Sequence, residues 1–404
     1  MAPTVLLIGT LDTKGPEYAY LRDRLSLAGV DVLVADAGTG GPPVGCEPDI
    51  TREALAAETG ASLASLTDRG EAVGAMADAA AALARRLFDE GRVDGVLAAG
   101  GSGNTAIATR AMQALPVGVP KLMVSTVAAG DTRDYVGGSD VMLMASVTDV
   151  AGINSISARV LANAAAAMAG MLLVPAVELA EQRPLLGATM FGVTTPCVTR
   201  ARSALEALGY EVLVFHATGT GGRAMEALVS AGFLRGVLDA TTTELCDDLV
   251  GGVLSAGPDR LEAAGAAGLP QVVSLGALDM VNFGARDTVP PQFSERNLYV
   301  HNPSITLMRT TAEECAELGR RIARKLSAAR GPVALFVPLG GVSLIDAPGQ
   351  PFFDAEADEA LFAALRAGLA GSDVELVEMD CNVNDDAFGD AMASKLDAYV
   401  KEAA

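Results

Sequence analysis

"LLIGTLDTKGPEYAYLRDRLSLAGVDVLVADAGTGG", residues 6–41, opens as a short apolar run and breaks at a glycine and a threonine. It then passes through a helix-like stretch and returns to an apolar run with a Gly-Thr-Gly-Gly tail. Strand, turn, helix, strand is the unit of a parallel sheet. The same order recurs in "TMFGVTTPCVTRARSALEALGYEVLVFHATGTGG", residues 189–222. Downstream, "GRVDGVLAAGGSGNT" (91–105) aligns with "GFLRGVLDATTTEL" (232–245), and "GVPKLMVSTVA" (118–128) with "GLPQVVSLGAL" (268–278). Several matches in the same order are the mark of an internal repeat. The expectation is an α/β protein of two doubly wound, Rossmann-like domains with mostly parallel sheets, residues 1–182 and 183–404. Their boundary is placed near "VELAEQRPLLG" (177–187), where charges and Pro184 interrupt the pattern.

Composition narrows the classes of function. Half of the 404 residues are hydrophobic and only 4% aromatic, so the core must be built from Ala, Val, Leu, Ile and Met. Lys and Arg number 29 against 50 Asp and Glu, a net charge of −21, which repels phosphate backbones and argues against nucleic acid as a partner. A small anion held by a few backbone amides stays compatible with that charge. The five cysteines are scattered and form no CxxC pair, against a disulfide framework or a thiolate zinc site. "MAPTVLLIGT" lacks the charged start and cleavage site of a signal peptide, and no apolar run reaches about 18 residues. A cytoplasmic protein without a membrane partner is expected, and by base rate a homo-oligomer, most simply a dimer.

Open parallel sheets bind ligands beyond the carboxyl ends of their strands. Two loops at such ends stand out in the first half: "GTLDTKG" (9–15) and "GGSGNT" (100–105). Glycines there let a ligand approach the backbone, and a helix beginning at Asn104 or Thr105 would aim free N–H groups at the same space. Gly9, Thr10, Thr13, Gly100, Gly101, Ser102, Gly103, Asn104 and Thr105 are the expected phosphate cradle. Lys14 supplies charge and Asp12 a site for Mg²⁺. The plain alternative is a tight turn with a helix cap. Ser125 and Thr126 of "STVAAGD" are candidates for the cradle or ordinary strand-end residues.

These stretches, together with "SVTDVAGINSISARVLANAAAAMAGM" (146–171), "MFGVTTPCV", "VFHATGTGGRAME", "SLGALDMVNFG" and "HNPSITLMRTT", resemble the ATP-binding family of the tomato mosaic virus resistance protein. The resemblance runs along essentially the whole chain. It implies two Rossmann-like subdomains with ATP and Mg²⁺ in the first. The antiviral binding of the plant protein belongs to one lineage and does not follow for this chain.

In the second half the corresponding loops change chemistry. "GTLDTKG" becomes "GVTTPCV", and "GGSGNT" becomes "DATTTEL", which drops the adjacent glycine pair and gains Asp239 and Glu244. The chain's two histidines, His216 and His301, fall in this half, with Asp247, Asp279, Asn282 and Arg309 in the same motifs. His216, His301, Asp239 and Glu244 are the candidate catalytic groups for acid–base chemistry; the plain alternative is that each histidine caps a strand. Cys197, after Pro196, is either an activated thiol or a buried hydrophobe. Three functions follow as expectations: an ATP-binding protein acting on a small acidic metabolite, a hydrolase or lyase with its site in the second half, or a nucleotide-gated interaction module.

Overall fold

The computed structural model describes residues 2–63, 68–174 and 183–403, so the first part of the expected boundary, residues 177–182, lies outside the described residues. The chain divides into two compact units, Met1–Leu179 and Ala180–Ala404.

The first unit runs β1 (Thr4–Gly9), α1 (Leu11–Leu27), β2 (Asp31–Asp36), α2 (Arg52–Ala57), α3 (Arg69–Asp89), β3 (Gly95–Gly100), α4 (Ser102–Gln113), β4 (Lys121–Ser125), α5 (Arg133–Val136), β5 (Met142–Ala145) and α6 (Ser157–Leu173). Its strands pair in the order β2-β1-β3-β4-β5, every pair parallel. Alternation along a strand sends neighbouring side chains to opposite faces. Leu6, Ile8, Val96 and Ala98 pack with Leu83 of α3 and Ile107 of α4. Val5, Leu7, Leu97 and Ala99 pack on the other face with Leu21 of α1 and Met168 of α6. Both faces are apolar, which is why these strands read as unbroken hydrophobic runs.

The second unit runs β6 (Leu185–Met190), α7 (Thr195–Ala207), β7 (Glu211–His216), α8 (Thr220–Ser230), β8 (Gly236–Thr241), α9 (Glu244–Val250), α10 (Ala263–Ala267) and β9 (Gln271–Gly276). After β9 come β10 (Met280–Phe283), β11 (Leu298–Asn302) and β12 (Ile305–Arg309), which form a small antiparallel sheet. The chain then returns through α11 (Ala312–Ser327), β13 (Val333–Pro338), α12 (Ala355–Leu369), β14 (Glu375–Met379) and α13 (Asp386–Glu402). The main sheet has the order β7-β6-β8-β9-β13-β14 and is parallel throughout.

The first four strands of each unit therefore take the same places, second-first-third-fourth. The sequence repeat is a repeat of topology, and both units are Rossmann-like in the sense of a doubly wound parallel sheet. In this order the winding reverses between the first and third strands, β1/β3 in one unit and β6/β8 in the other. Ligands of such sheets bind in the crevice where the winding reverses. None of the described helices is long and apolar enough to cross a membrane.

Candidate functional site

At the β1/β3 reversal of the first unit lies a cavity of about 620 Å³, within the usual range for small-molecule sites. It is lined by Thr10–Lys14 without Leu11, by Gly101–Asn104, and by Thr39, Gly40, Asp68, Arg69 and Asp149 among others. Three helices, α1, α3 and α4, begin at its wall. Some helices elsewhere start on capping side chains, where Thr51 accepts the Ala54 amide, Thr311 that of Glu314 and Asp354 that of Ala357, while others such as α7, α8 and α13 have none. At the cavity only α3 is capped this way, by Asp68; Thr10 before α1 and Gly101 before α4 provide no side-chain cap. The first bond inside α4 is Thr105 N–H to the Gly101 carbonyl, 2.9 Å, so the amides of Ser102, Gly103 and Asn104 precede the helical ladder. An anion in the cavity would meet these N–H groups and the positive end of the helix dipole.

The glycines expected to form the cradle divide into two kinds. A Cβ on Gly9 would lie 2.1 Å from the Tyr18 ring, and one on Gly100 would lie 2.9 Å from Cβ of Asn104. Those two glycines serve packing. A Cβ on Gly103 would meet nothing within 4 Å, and one on Gly101 only Thr126 Oγ1 at 3.8 Å. Gly101 has an ordinary φ of −84°. Neither the protein's packing nor its backbone calls for glycine at 101 or 103, and both face the cavity.

Other expected ligand residues are committed to the scaffold. Asn104 Nδ2 donates to the Tyr18 hydroxyl at 2.9 Å and to the Ala99 carbonyl at 3.1 Å. Tyr18 in turn accepts the Ala99 amide at 2.9 Å and donates to the Ile8 carbonyl at 2.5 Å, stitching α1 and α4 to the ends of β1 and β3. Burial raises the Tyr18 pKa, keeping the phenol protonated. Thr105 Oγ1 is bonded to Ser125 Oγ at 2.7 Å, and both are buried away from the cavity lining. Thr126 is exposed and stands beside Gly101. Thr13 turns its hydroxyl back onto Thr10, at 3.2 Å from the carbonyl and 3.3 Å from Oγ1. Lys14 reaches the Val150 carbonyl, and Asp12 Oδ2 accepts the Gly40 amide at 2.7 Å. The other oxygen, Asp12 Oδ1, is buried without a hydrogen-bond partner. Asp149 comes from "SVTD" (146–149), a further candidate stretch of the sequence, whereas Arg69 was not expected. It is a single charged residue in an unremarkable stretch, and only the fold brings it to the wall.

In the second unit the residues expected to form a His/carboxylate centre fall into different surroundings. The β6/β8 seam, equivalent in topology to the first unit's cavity, holds a buried ion cluster. Asp239 receives Arg260 bidentately, at 2.5 and 2.6 Å, while Arg260 Nε donates to Glu244 at 2.6 Å. Thr189 donates to Asp239 at 2.7 Å and accepts the Thr241 amide at 3.0 Å. Glu244 Oε1 accepts the Gly219 and Gly222 amides at 2.6 and 3.1 Å, so a carboxylate of the protein occupies the start of α8 where an anion would sit. Asp239, Glu244 and Arg260 are buried, Glu226 also pairs with Arg260, and every carboxylate oxygen of Asp239 and Glu244 already accepts a hydrogen bond from the protein.

His216, at the end of β7, and His301, on β11 of the antiparallel sheet, are both exposed. Their imidazoles make no hydrogen bond or ion pair among the described residues; His216 only meets the Phe191 ring edge-on at 6.1 Å. The two histidines belong to different sheets and join no carboxylate. Asp247 is tied to Asn282, and burial raises its pKa to about 7. Arg309 ends β12 among carboxylates, with Asp358 at 2.6 Å and Asp346 at 3.6 Å, while Asp279 accepts the Ser343 hydroxyl at 2.8 Å. The Cys197 thiol is buried and pushed up to about 12, an inert hydrophobe rather than a nucleophile.

Fold and site together define a protein of two doubly wound α/β units, one with an open strand-end cavity and one with the equivalent seam sealed by ions. The chain belongs to the uncharacterised protein family UPF0261: the family's N-terminal domain matches residues 3–176 and its C-terminal domain residues 183–400. It is 51% identical to a UPF0261 protein of Clostridium tetani over 98% of both chains, and 49% identical to one of Rhizobium meliloti over 96% of both. It is also 40% identical to the ToMV resistance protein Tm-1(GCR237) of Solanum lycopersicum, covering 97% of this chain and 55% of the plant protein. Among solved structures, a UDP-N-acetylglucosamine 2-epimerase aligns over 68% of this chain and 79% of its own, with 12% identity and a TM-score of 0.26.

Proposed function

We propose that the first unit binds ATP together with Mg²⁺ in the cavity at the β1/β3 reversal. The observation that carries this reading is Gly101 and Gly103, two glycines that neither packing nor backbone angle requires, set beside the uncapped amides of α4. Polyphosphate oxygens would accept the Ser102, Gly103 and Asn104 amides, with Lys14 and Arg69 supplying charge at the wall. Asp12 fits a hard cation, because its cavity-side carboxylate keeps one buried oxygen free of protein partners. Bound Mg²⁺ would neutralise phosphate charge there. The resemblance found in the sequence carries the same expectation of ATP. Activation of a small acid would be the enzymatic form of this function, drawing on the nucleotide held here. A hydrolase or lyase centred on Asp239 has no support from the sealed Arg260 cluster. Calorimetry with ATP and Mg²⁺ on wild type and on Gly101→Val tests the proposal. The valine is expected to abolish binding while the fold is retained, and equal binding by the two proteins would refute it.

A further inference from the structure

Two carboxylates meet at the carboxyl ends of β1 and β2, each anchored through one oxygen and left bare at the other. Asp12 Oδ2 accepts the Gly40 amide at 2.7 Å; Asp36 Oδ1 accepts the Leu11 amide at 3.1 Å and the Gly38 amide at 2.8 Å. The remaining oxygens, Asp12 Oδ1 and Asp36 Oδ2, are both buried and have no hydrogen-bond partner. Asp36 as a whole is 1% exposed. Gly38 lies between the two: a Cβ there would come within 2.9 Å of Asp12 Cγ, 3.0 Å of Asp12 Oδ1 and 2.9 Å of Asp36 Oδ1. A methyl group there would clash with both, so Gly38 is what lets the two carboxylates stand this close to the loop.

Among the described residues no lysine or arginine forms an ion pair with either carboxylate. Arg52 gives its guanidinium to the Gly41 carbonyl and to Glu53, and Lys14, on the cavity wall with Asp12, reaches the Val150 carbonyl. Two bare carboxylate oxygens in a buried place cost several kcal/mol unless a positive charge joins them.

We propose that Asp12 and Asp36 form a two-carboxylate seat for a hard divalent cation of the Mg²⁺ or Mn²⁺ class. The donors are all oxygen, as that class prefers, and one or two carboxylates completed by water and phosphate are its usual holding. Asp12 also lines the cavity, so the seat places the cation at the edge of the nucleotide site. The proposal deepens the nucleotide reading and rests on it for the cation's use, while the binding itself needs no nucleotide. Asp36 lies outside the loops that the sequence singles out, and its part comes from the free oxygen and from Gly38.

The test is Mn²⁺ binding by the full nucleotide-free chain, followed by electron paramagnetic resonance. Wild type is compared with Asp12→Asn, Asp36→Asn and Gly38→Ala. Asparagine keeps the oxygen that accepts the backbone amides, so the Asn variants hold the loop while losing charge, and melting curves check that they do. An acidic surface gives every variant the same weak background, and the reading is the difference. Each substitution is expected to weaken the tightest Mn²⁺ by at least about tenfold. Wild-type affinity in Asp36→Asn, or in Gly38→Ala should the Asn variants fail to fold, overturns the seat. Gly101→Val separates the two proposals, since it is expected to lose ATP and keep Mn²⁺. ATP binding with Mn²⁺ indifferent to Asp36 overturns the seat alone, and Mn²⁺ held through Asp36 without ATP binding overturns the nucleotide reading alone.

Discussion

Replacing Gly103 by alanine separates a ligand glycine from a structural one. Gly103 is the second residue of α4, and a Cβ built there meets no atom within 4 Å. Alanine in a helix is favoured over glycine by up to about 1 kcal/mol, because the unfolded chain loses freedom and the helix loses nothing. For a unit of this size the gain is worth roughly 2–4 °C in melting temperature. The same methyl stands where phosphate would approach the amides, so ATP affinity is expected to fall at least about tenfold, close to 1.4 kcal/mol. Gly9→Ala should behave in the opposite sense. Its Cβ would fall 2.1 Å from Tyr18, whose hydroxyl ties together Ile8, Ala99 and Asn104, so overpacking should cost about 1–3 kcal/mol or more. Scanning calorimetry gives the stabilities, and titration with ATP and Mg²⁺ gives the affinities. A Gly103→Ala protein that melts lower than wild type, or that binds ATP as wild type does, refutes the assignment of this glycine to a ligand.

Arg260→Met should destabilise the second unit by about 3–5 kcal/mol, because Asp239 and Glu244 would be left buried and unpaired; adding Asp239→Asn and Glu244→Gln should recover much of the loss, and urea melts that show no loss in the single variant would sink the idea. Asp247, Asp279 and Asp358 are raised to about 7, 8 and 7, chiefly by burial. Their folded forms hold protons that the unfolded chain releases near pH 4, so their contribution is present below that and lost as pH rises to about 8. Stability should fall by on the order of a few kcal/mol across that window, and urea midpoints that stay flat or rise between pH 5 and 8 would contradict it. His216→Ala and His301→Ala should each leave stability within about 0.5 kcal/mol and ATP binding unchanged, since both rings are exposed and carry no hydrogen bond among the described residues. Loss of a measured turnover in either variant, with the fold intact, would return the histidines to an active site.

The repeated strand–turn–helix pattern was legible because it is local: the alternation of apolar strand and amphipathic helix follows from which faces each element must bury. The winding order was not written in any one segment, yet it decides where a ligand can lie. Scarcity alone was a weak guide in the second unit. Two histidines in 404 residues draw attention as reactive groups, but a strand end is also where a side chain meets solvent, and both are exposed. Arg260 had no motif to announce it, since its meaning comes wholly from burial against residues 16 and 21 positions away. The glycine pair at residues 100 and 101 shows how far comparison of the two halves could reach. Thr241 and Thr242 stand in matching places in the other unit, and the chain turns there without glycine. That comparison makes both glycines look like ligand residues, whereas packing separates them: Gly100 is held by Asn104, and Gly101 is held by nothing. The two seams then differ by one physical choice. One unit fills the reversal of its winding with its own arginine and carboxylates, and the other leaves amides uncovered at the same place. On the proposed reading, a bound nucleotide would complete the open crevice as the protein's own ions complete the other.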